Sequence, residues 1–220
     1  MNNFLIKRVE HLLRNRGWIH RNDKDFLTLP DSKDYSPIAE SGVSGELSLT
    51  RFGRLGLPKL VPPDAVGLEL GVAEGYFSDI LLSVGSFSRL YSIDAWADHH
   101  DTNEYLRCVA LLSKFGCRSV VMRMFFDDAL RHFPNEFFDF VYVDAYAHTG
   151  QQDGALLTNW YPKLKKGGIF SGHDYDKESW PETVMAVDEF SSSISKEVIV
   201  VPPVETHNLH DMYPSWYFVK

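Results

Sequence analysis

The chain has 220 residues, and its 22 Lys and Arg against 30 Asp and Glu give a formal net charge of −8. This acidic balance argues against nonspecific nucleic-acid binding, which needs a basic face to neutralise phosphates, and against a polybasic membrane anchor. No apolar run reaches the roughly 18–20 residues that span a bilayer. The two cysteines, Cys108 and Cys117, lack metal-ligand spacing. We therefore expect a cytoplasmic protein with reduced thiols.

The first 60 residues differ from the rest of the chain. Apolar and charged residues over Met1 to Arg16 have the spacing of a short amphipathic helix. Residues 21–56 are rich in Asp, Ser, Gly and Pro and have few apolar residues in register. We interpret residues 1–60 as a helical and irregular N-terminal segment that serves as a lid, as a contact in a homo-oligomer, or as a poorly ordered tail.

From Val61 onward, residues 61–220 predict one α/β domain in which short apolar runs alternate with helical stretches. Nearly continuous apolar runs are typical of strands covered by helices on both faces, and their alternation with helices predicts right-handed crossovers and a doubly wound, mostly parallel sheet. The seven expected strands are Val66–Leu70, Leu90–Ile93, Ser119–Met124, Phe138–Val143, Gly168–Ser171, Glu197–Val201 and Ser215–Val219.

Five helices are expected between these strands, at Tyr76–Val84, Asn103–Phe115, Asp128–Phe133, Gln152–Leu164 and Glu182–Ser191. The last two strands have no helical pattern between them. They are therefore expected to form an antiparallel hairpin at the edge of the sheet.

Ligands of an open α/β sheet bind beyond the carboxyl ends of its strands, so the residues after each strand are the candidates for function. The first strand runs into Glu69, Gly71 and Gly75. The two glycines let the backbone turn sharply, and the next helix start has N–H groups that suit a carboxylate; a plain strand-to-helix turn explains the glycines as well.

The second and third strands end in residues that suit a nucleoside. Asp94 is placed to accept hydrogen bonds from a ribose diol, or to cap a turn, and it is followed by Ala95 and Trp96. Trp96 either covers an adenine face or belongs to the core. Met124 and Phe125 after the third strand form an adenine slot, unless they too are core residues.

The fourth and fifth strands deliver acids and imidazoles to the same edge of the sheet. Asp144 and His148 follow the fourth strand, and His173 and Asp174 follow the fifth. Together they can bind a metal ion or act as a general base. The alternative is that Asp174 caps a turn and the imidazoles are ordinary surface groups.

The motif Glu69-Leu70-Gly71-x-x-x-Gly75-x-x-Ser78 resembles the glycine motif of class I S-adenosylmethionine-dependent methyltransferases, and the resemblance covers about Val61 to Lys220. It implies the strand order 3-2-1-4-5-7-6, with the last strand antiparallel, and S-adenosyl-L-methionine as cofactor. It places Glu69 and Gly71 near the donor's amino-acid part, Asp94 on the ribose and Met124 with Phe125 beside the adenine. The full set of expected cofactor-binding residues is Glu69, Gly71, Gly75, Asp94, Ala95, Trp96, Met124, Phe125 and Asp144.

The stretch from Asp144 through His148 to His173-Asp174-Tyr175 resembles the subgroup that includes macrocin-type sugar O-methyltransferases. In its metal-dependent members, an acid after strand four and an acidic pair after strand five hold Mg²⁺. Asp144 and Asp174 match these positions, whereas His173 replaces the first acid of the pair and favours a softer metal than Mg²⁺. In the subgroup's D-G-x-H pattern the His follows the Asp by three residues, whereas His148 follows Asp144 by four.

The sequence therefore predicts methyl transfer to a hydroxyl of a small molecule or sugar. His173 or His148 would be the base, and Asp144 and Asp174 would orient the acceptor or, with His173, hold a divalent metal. The sequence leaves two other functions open: a donor-binding module without catalysis, and a nicotinamide-dependent oxidoreductase. The second would require G-x-G-x-x-G, whereas this turn has only Gly71 and Gly75 with three residues between them.

Overall fold

The structure is a computed structural model that describes residues 49, 52–97, 99–203 and 212–220. The predicted helix at residues 1–16 and most of the segment 21–56 lie outside the described residues. The strands and helices, in chain order, are β1 (Ala65–Leu70), α1 (Tyr76–Val84), β2 (Phe87–Asp94), α2 (Thr102–Leu112), β3 (Ser119–Arg123), α3 (Phe126–Ala129), β4 (Phe138–Val143), α4 (Gly150–Asp153), α5 (Ala155–Trp160), β5 (Leu164–Gly172), α6 (Pro181–Ser193), β6 (Ile199–Val201) and β7 (Ser215–Val219).

Short 3-10 helices complete the architecture at Gly53–Leu60, Ser113–Arg118, Leu130–His132, Ala147–Thr149 and Tyr161–Lys163. Within the described ranges, no helix is both long and apolar enough to cross a membrane.

The seven strands form one sheet in the order β3-β2-β1-β4-β5-β7-β6. Strands β1 to β5 pair in parallel, while β7 lies antiparallel between β5 and β6. This confirms the predicted doubly wound, mostly parallel sheet, its strand order and its terminal antiparallel pair. Because β1 to β5 are parallel, the loops after them meet at one edge of the sheet.

Two apolar layers cover the two faces of the sheet. Along β4, Phe140 and Tyr142 pack into one layer and Val141 and Val143 into the other, as the two-residue period of a strand requires. Full burial of such a side chain contributes roughly 1.5–3 kcal/mol, so the central strands hold the site's backbone firmly.

The structure differs from the sequence prediction at two segments that border the site. Part of the segment predicted to be irregular is the 3-10 helix Gly53–Leu60, because Leu55 and Leu57 are buried in the core layer that contains α1. The right-handed part of the predicted helix Gln152–Leu164 starts only at Ala155, since residues 150–154, which include α4, all have positive φ and form a left-handed turn. This left-handed turn is stabilised by the buried side chain of Gln151, whose Nε2 donates to the Thr183 hydroxyl at 3.1 Å.

Candidate functional site

The turn after β1 requires glycine at two positions. Gly71 has φ +86°, and a Cβ on it would lie 2.0 Å from the carbonyl oxygen of Asp144. Gly75 also has φ +86° and begins α1, where a Cβ would lie 3.0 Å from the Cys108 sulfur. Only glycine fits a left-handed backbone in such close contact, so the turn stays open towards the edge of the sheet.

Glu69 is a buried acid at the base of this turn. Its side chain accepts a hydrogen bond from the Ser78 hydroxyl, which lies 2.6 Å from the Ser92 hydroxyl. Burial raises the pKa of Glu69 to about 8; the Ser78 hydrogen bond opposes this rise, and the nearby Asp144 charge adds to it. Without a ligand, Glu69 therefore carries its proton at pH 7.

Asp94 ties the glycine turn to the end of β2. Its Oδ2 accepts from the backbone N–H groups of Val72 at 2.9 Å and Ala73 at 3.1 Å, and its Oδ1 accepts from the Trp96 N–H at 2.9 Å. Asp94 also lines a cavity, so the predicted contact with a ribose stays a prediction. Trp96 is a core residue that packs on Tyr105 and donates its indole N–H to the Ala73 carbonyl at 2.9 Å.

Three neighbouring cavities follow the carboxyl edge of the sheet. The inner cavity, about 300 Å³, is lined by Arg54, Glu69, Gly71, Val72, Ala73, Glu74, Tyr76, Phe77, His100, Glu104, Asp144, His173 and Tyr213. The central cavity, about 390 Å³, is lined by Gly71, Asp94, Ala95, His99, His100, Phe126, Asp144, Ala145, Tyr146, Ala147, His148, Asp174 and Trp180. The outer cavity, about 700 Å³, is lined by Ala95, Ala97, Arg123, Met124, Phe125, Asp128, Arg131 and His132.

Several of the predicted cofactor residues line these cavities, whereas Gly75 and Trp96 line none of the three. Glu69 lines the inner cavity, Asp94 the central cavity, and Met124 with Phe125 the outer cavity. Phe125 is 58% exposed, which favours the adenine-slot interpretation over the core interpretation. The inner and central cavities share Gly71, His100 and Asp144, so these two spaces meet where β1 and β4 end.

Of the predicted catalytic residues, Asp144 and His173 come together, and the predicted metal ligand Asp174 joins them. His173 Nδ1 lies 3.0 Å from Asp174 Oδ1 and 3.7 Å from Asp144 Oδ1. His173 Nε2 is buried and has no hydrogen-bond partner among the described residues. His148 is exposed, lines the central cavity and packs against Trp180 at 6.4 Å between ring centroids.

The acid–imidazole cluster brings three candidate metal ligands together. Asp144, His173 and Asp174 each offer one ligand atom, and these atoms lie within 4.8 Å of one another. Asp174 has φ +59°, a left-handed backbone that Asp adopts more readily than most residues.

Arg54 is a residue of the site that sequence reasoning missed. Its side chain is only 5% exposed, and its Nη1 lies 3.3 Å from the Tyr142 hydroxyl and 3.4 Å from Asp144 Oδ2. Its Cζ lies 4.8 Å from the centre of the Phe77 ring. Arg54 lies in a stretch without regular apolar spacing. The two leucines after it, Leu55 and Leu57, are the one sign in the sequence that this stretch is buried.

The comparison with known families agrees with this geometry. Residues 68–175, from β1 to just past β5, match a family model described as a methyltransferase domain. This chain has the Rossmann-like methyltransferase fold. No curated protein matches its sequence.

Solved structures that share the methyltransferase fold differ in the reactions they are named for. A precorrin-6y C5,15-methyltransferase from Geobacter metallireducens has a TM-score of 0.55 at 15% identity, covering 79% of this chain and 85% of its own. An O-methyltransferase from Bacillus cereus in complex with SAH has a TM-score of 0.55 at 16% identity, covering 89% and 94%. A spermidine synthase from Thermotoga maritima has a TM-score of 0.54 at 17% identity, covering 78% and 59%. At these identities the likeness concerns the fold alone, so the reaction has to be argued from the site.

Proposed function

We propose that this chain is a methyltransferase that transfers the methyl group of S-adenosyl-L-methionine to a hydroxyl of a small molecule or sugar. The observation that carries this proposal is the junction of the inner and central cavities at Gly71 and Asp144, with the acid–imidazole cluster beside it. The open glycine turn is evidence for a bound donor, and the nearby cluster is evidence for chemistry at the donor's methyl group. The SAH bound to the similar O-methyltransferase is the product left after such a transfer, which also supports the proposal.

The donor would extend along the three cavities. Its amino-acid part would occupy the inner cavity at Glu69, its ribose would lie near Asp94, and its adenine would reach Met124 and Phe125. The sulfonium methyl would then lie near Asp144, in line with an acceptor oxygen in the central cavity. Holding the two reacting groups in line supplies much of the rate enhancement.

His148 is the better of the two predicted bases. Its imidazole is exposed and lines the central cavity, where an acceptor hydroxyl would lie. In His173, Nδ1 faces the carboxylates of Asp174 and Asp144, and Nε2 is buried away from solvent. His173 is therefore suited to orient the two acids or to bind a metal through Nδ1, and His148 to accept the proton.

The same three residues would hold a divalent metal, Mg²⁺ or a softer ion, which lowers the pKa of an acceptor hydroxyl when bound. Asp144 and Asp174 supply oxygen ligands and His173 a nitrogen ligand. The macrocin-type pattern of these residues supports a sugar hydroxyl as acceptor. Without a metal, the two carboxylates would orient the acceptor by hydrogen bonds.

Calorimetric titration with S-adenosylmethionine, SAH and NAD tests the proposal. We expect both adenosyl ligands to bind and NAD not to bind. A turnover assay on a panel of hydroxylated small molecules and sugars then separates an enzyme from a module that only binds the donor. Tight binding of NAD would favour the oxidoreductase alternative, and donor binding without turnover on any acceptor would favour the non-catalytic one.

A further inference from the structure

The described residues that line the inner cavity include four acids and one arginine. The acids are Glu74, Glu104 and Asp144, together with Glu69, whose raised pKa of about 8 keeps it protonated at pH 7. Among the described residues that line it, Arg54 is the one arginine or lysine, and its guanidinium stays protonated in proteins.

This charge pattern has consequences for the methyl donor, whose amino-acid part carries an ammonium and a carboxylate next to the sulfonium. Acidic walls attract the sulfonium and the ammonium, and they repel the carboxylate. A carboxylate can enter this cavity at low cost only beside a cation or several N–H donors.

Arg54 meets that requirement because neighbouring groups hold its guanidinium in place. Tyr142 and Asp144 contact its Nη1, and the Phe77 ring lies beside its Cζ. Phe77 belongs to the first turn of α1, so the cation stands next to the helix start, where no side chain caps the backbone N–H groups. A guanidinium is a planar fork with five N–H donors, and it can contact Asp144 and a second carboxylate at once.

We propose that Arg54 binds the α-carboxylate of the methyl donor in the inner cavity, and that it thereby selects donors that keep this carboxylate. This inference rests on the proposed function and assigns a specificity to its donor site. It also gives residues before β1 a direct part in binding the donor.

The test compares two ligands that differ in one group: S-adenosylmethionine, and decarboxylated S-adenosylmethionine, which keeps the sulfonium and the amine. We expect the wild-type chain to bind the first roughly 10- to 100-fold more tightly, as for one charge-assisted contact. Arg54→Gln should remove this preference by weakening S-adenosylmethionine while leaving the decarboxylated ligand nearly unchanged. Arg54→Lys, which keeps the charge and loses the fork, should have an intermediate preference.

Arg89→Gln is the matched control, because it removes one positive charge from an exposed position on β2 and should leave the preference intact. Equal affinity of the wild-type chain for both ligands would overturn the role of Arg54, even if Arg54→Gln fails to fold. An equal loss for both ligands in Arg54→Gln would overturn it as well. If the wild-type chain binds neither ligand, the proposed function itself fails.

Discussion

Gly71 and Asp144 touch backbone to backbone, so closely that a Cβ on Gly71 would lie 2.0 Å from the Asp144 carbonyl oxygen. The first residue belongs to the turn after β1 and the second follows β4. Both line the inner and the central cavity. This contact therefore fixes the distance between the expected donor site and the expected acceptor site.

Gly71→Ala should destabilise the chain and abolish SAH binding. A methyl group at this position collides with a main-chain oxygen, and the φ of +86° is strained for alanine. We expect a loss of more than about 3 kcal/mol in the free energy of unfolding, measured by chemical denaturation. Gly167→Ala is the control, since its φ of +77° is similarly strained but a Cβ there meets nothing within 4 Å. Equal losses in the two variants would show that the contact with Asp144 does not matter.

Glu69→Gln should stabilise the ligand-free chain increasingly as the pH rises. The pKa of Glu69 is raised from 4.5 to about 8 by burial, so the folded state holds a proton that the unfolded state releases. The stability that depends on this proton is complete below pH 4.5 and is lost as the pH rises towards 8. The variant lacks this loss, and its advantage should reach roughly 3–5 kcal/mol near pH 8.

Denaturation curves at several pH values between 4.5 and 8.5 measure this effect. Glu178→Gln provides the comparison, because Glu178 is exposed and its replacement should shift the stability by less than about 0.5 kcal/mol at any pH. A constant difference between Glu69→Gln and the wild-type chain across this range would contradict a neutral, buried Glu69.

The strands of the sheet and the acid–imidazole cluster could both be predicted from the sequence, for different reasons. β4 and β7 have the predicted bounds because most of their residues are apolar, despite Asp139 inside β4, and because the polar residues Asp144 and Lys220 follow them. Asp144, His173 and Asp174 come together because parallel strands bring their carboxyl ends to one edge, whatever the loops do.

Other parts of the site depend on long-range contacts that leave no local pattern. Arg54 is buried because Tyr142 and Phe77 lie far from it in sequence and close to it in space. The left-handed turn before α5 is likewise decided by packing, since helix propensity favours a right-handed start at Gln152. Within it, Gln151 Nε2 donates to Thr183 on α6, while Gln151 Oε1 is buried without a hydrogen-bond partner among the described residues.

Donor binding should release protons near pH 7. Glu69 is protonated there in the ligand-free chain, and a cationic donor in the inner cavity favours its charged form. Calorimetry of S-adenosylmethionine binding in buffers with different ionisation enthalpies measures the number of protons released. We expect up to about one proton for the wild-type chain at pH 7, and none for Glu69→Gln. The same release in both would place its source elsewhere.

A divalent metal should bind at the acid–imidazole cluster and depend on Asp174. Mn²⁺ is a suitable probe because carboxylate and imidazole both bind it and because it is detected by electron paramagnetic resonance. Asp174→Asn should weaken Mn²⁺ binding roughly 10- to 100-fold, since it removes one charged ligand. Asp153→Asn, an exposed acid outside the cluster, should leave it unchanged. If wild type and Asp174→Asn bind Mn²⁺ equally, Asp144, His173 and Asp174 do not form a metal site.

His148→Ala and His173→Ala should impair turnover in different ways, because only His148 presents an exposed imidazole to the central cavity. With an acceptor that the turnover assay identifies, His148→Ala should lower kcat roughly 10²- to 10⁴-fold and leave SAH affinity unchanged. His173→Ala should lower kcat and also weaken Mn²⁺ binding at the acid–imidazole cluster, because His173 Nδ1 lies beside Asp144 and Asp174. If His148→Ala weakens Mn²⁺ binding and His173→Ala does not, the two roles must be exchanged.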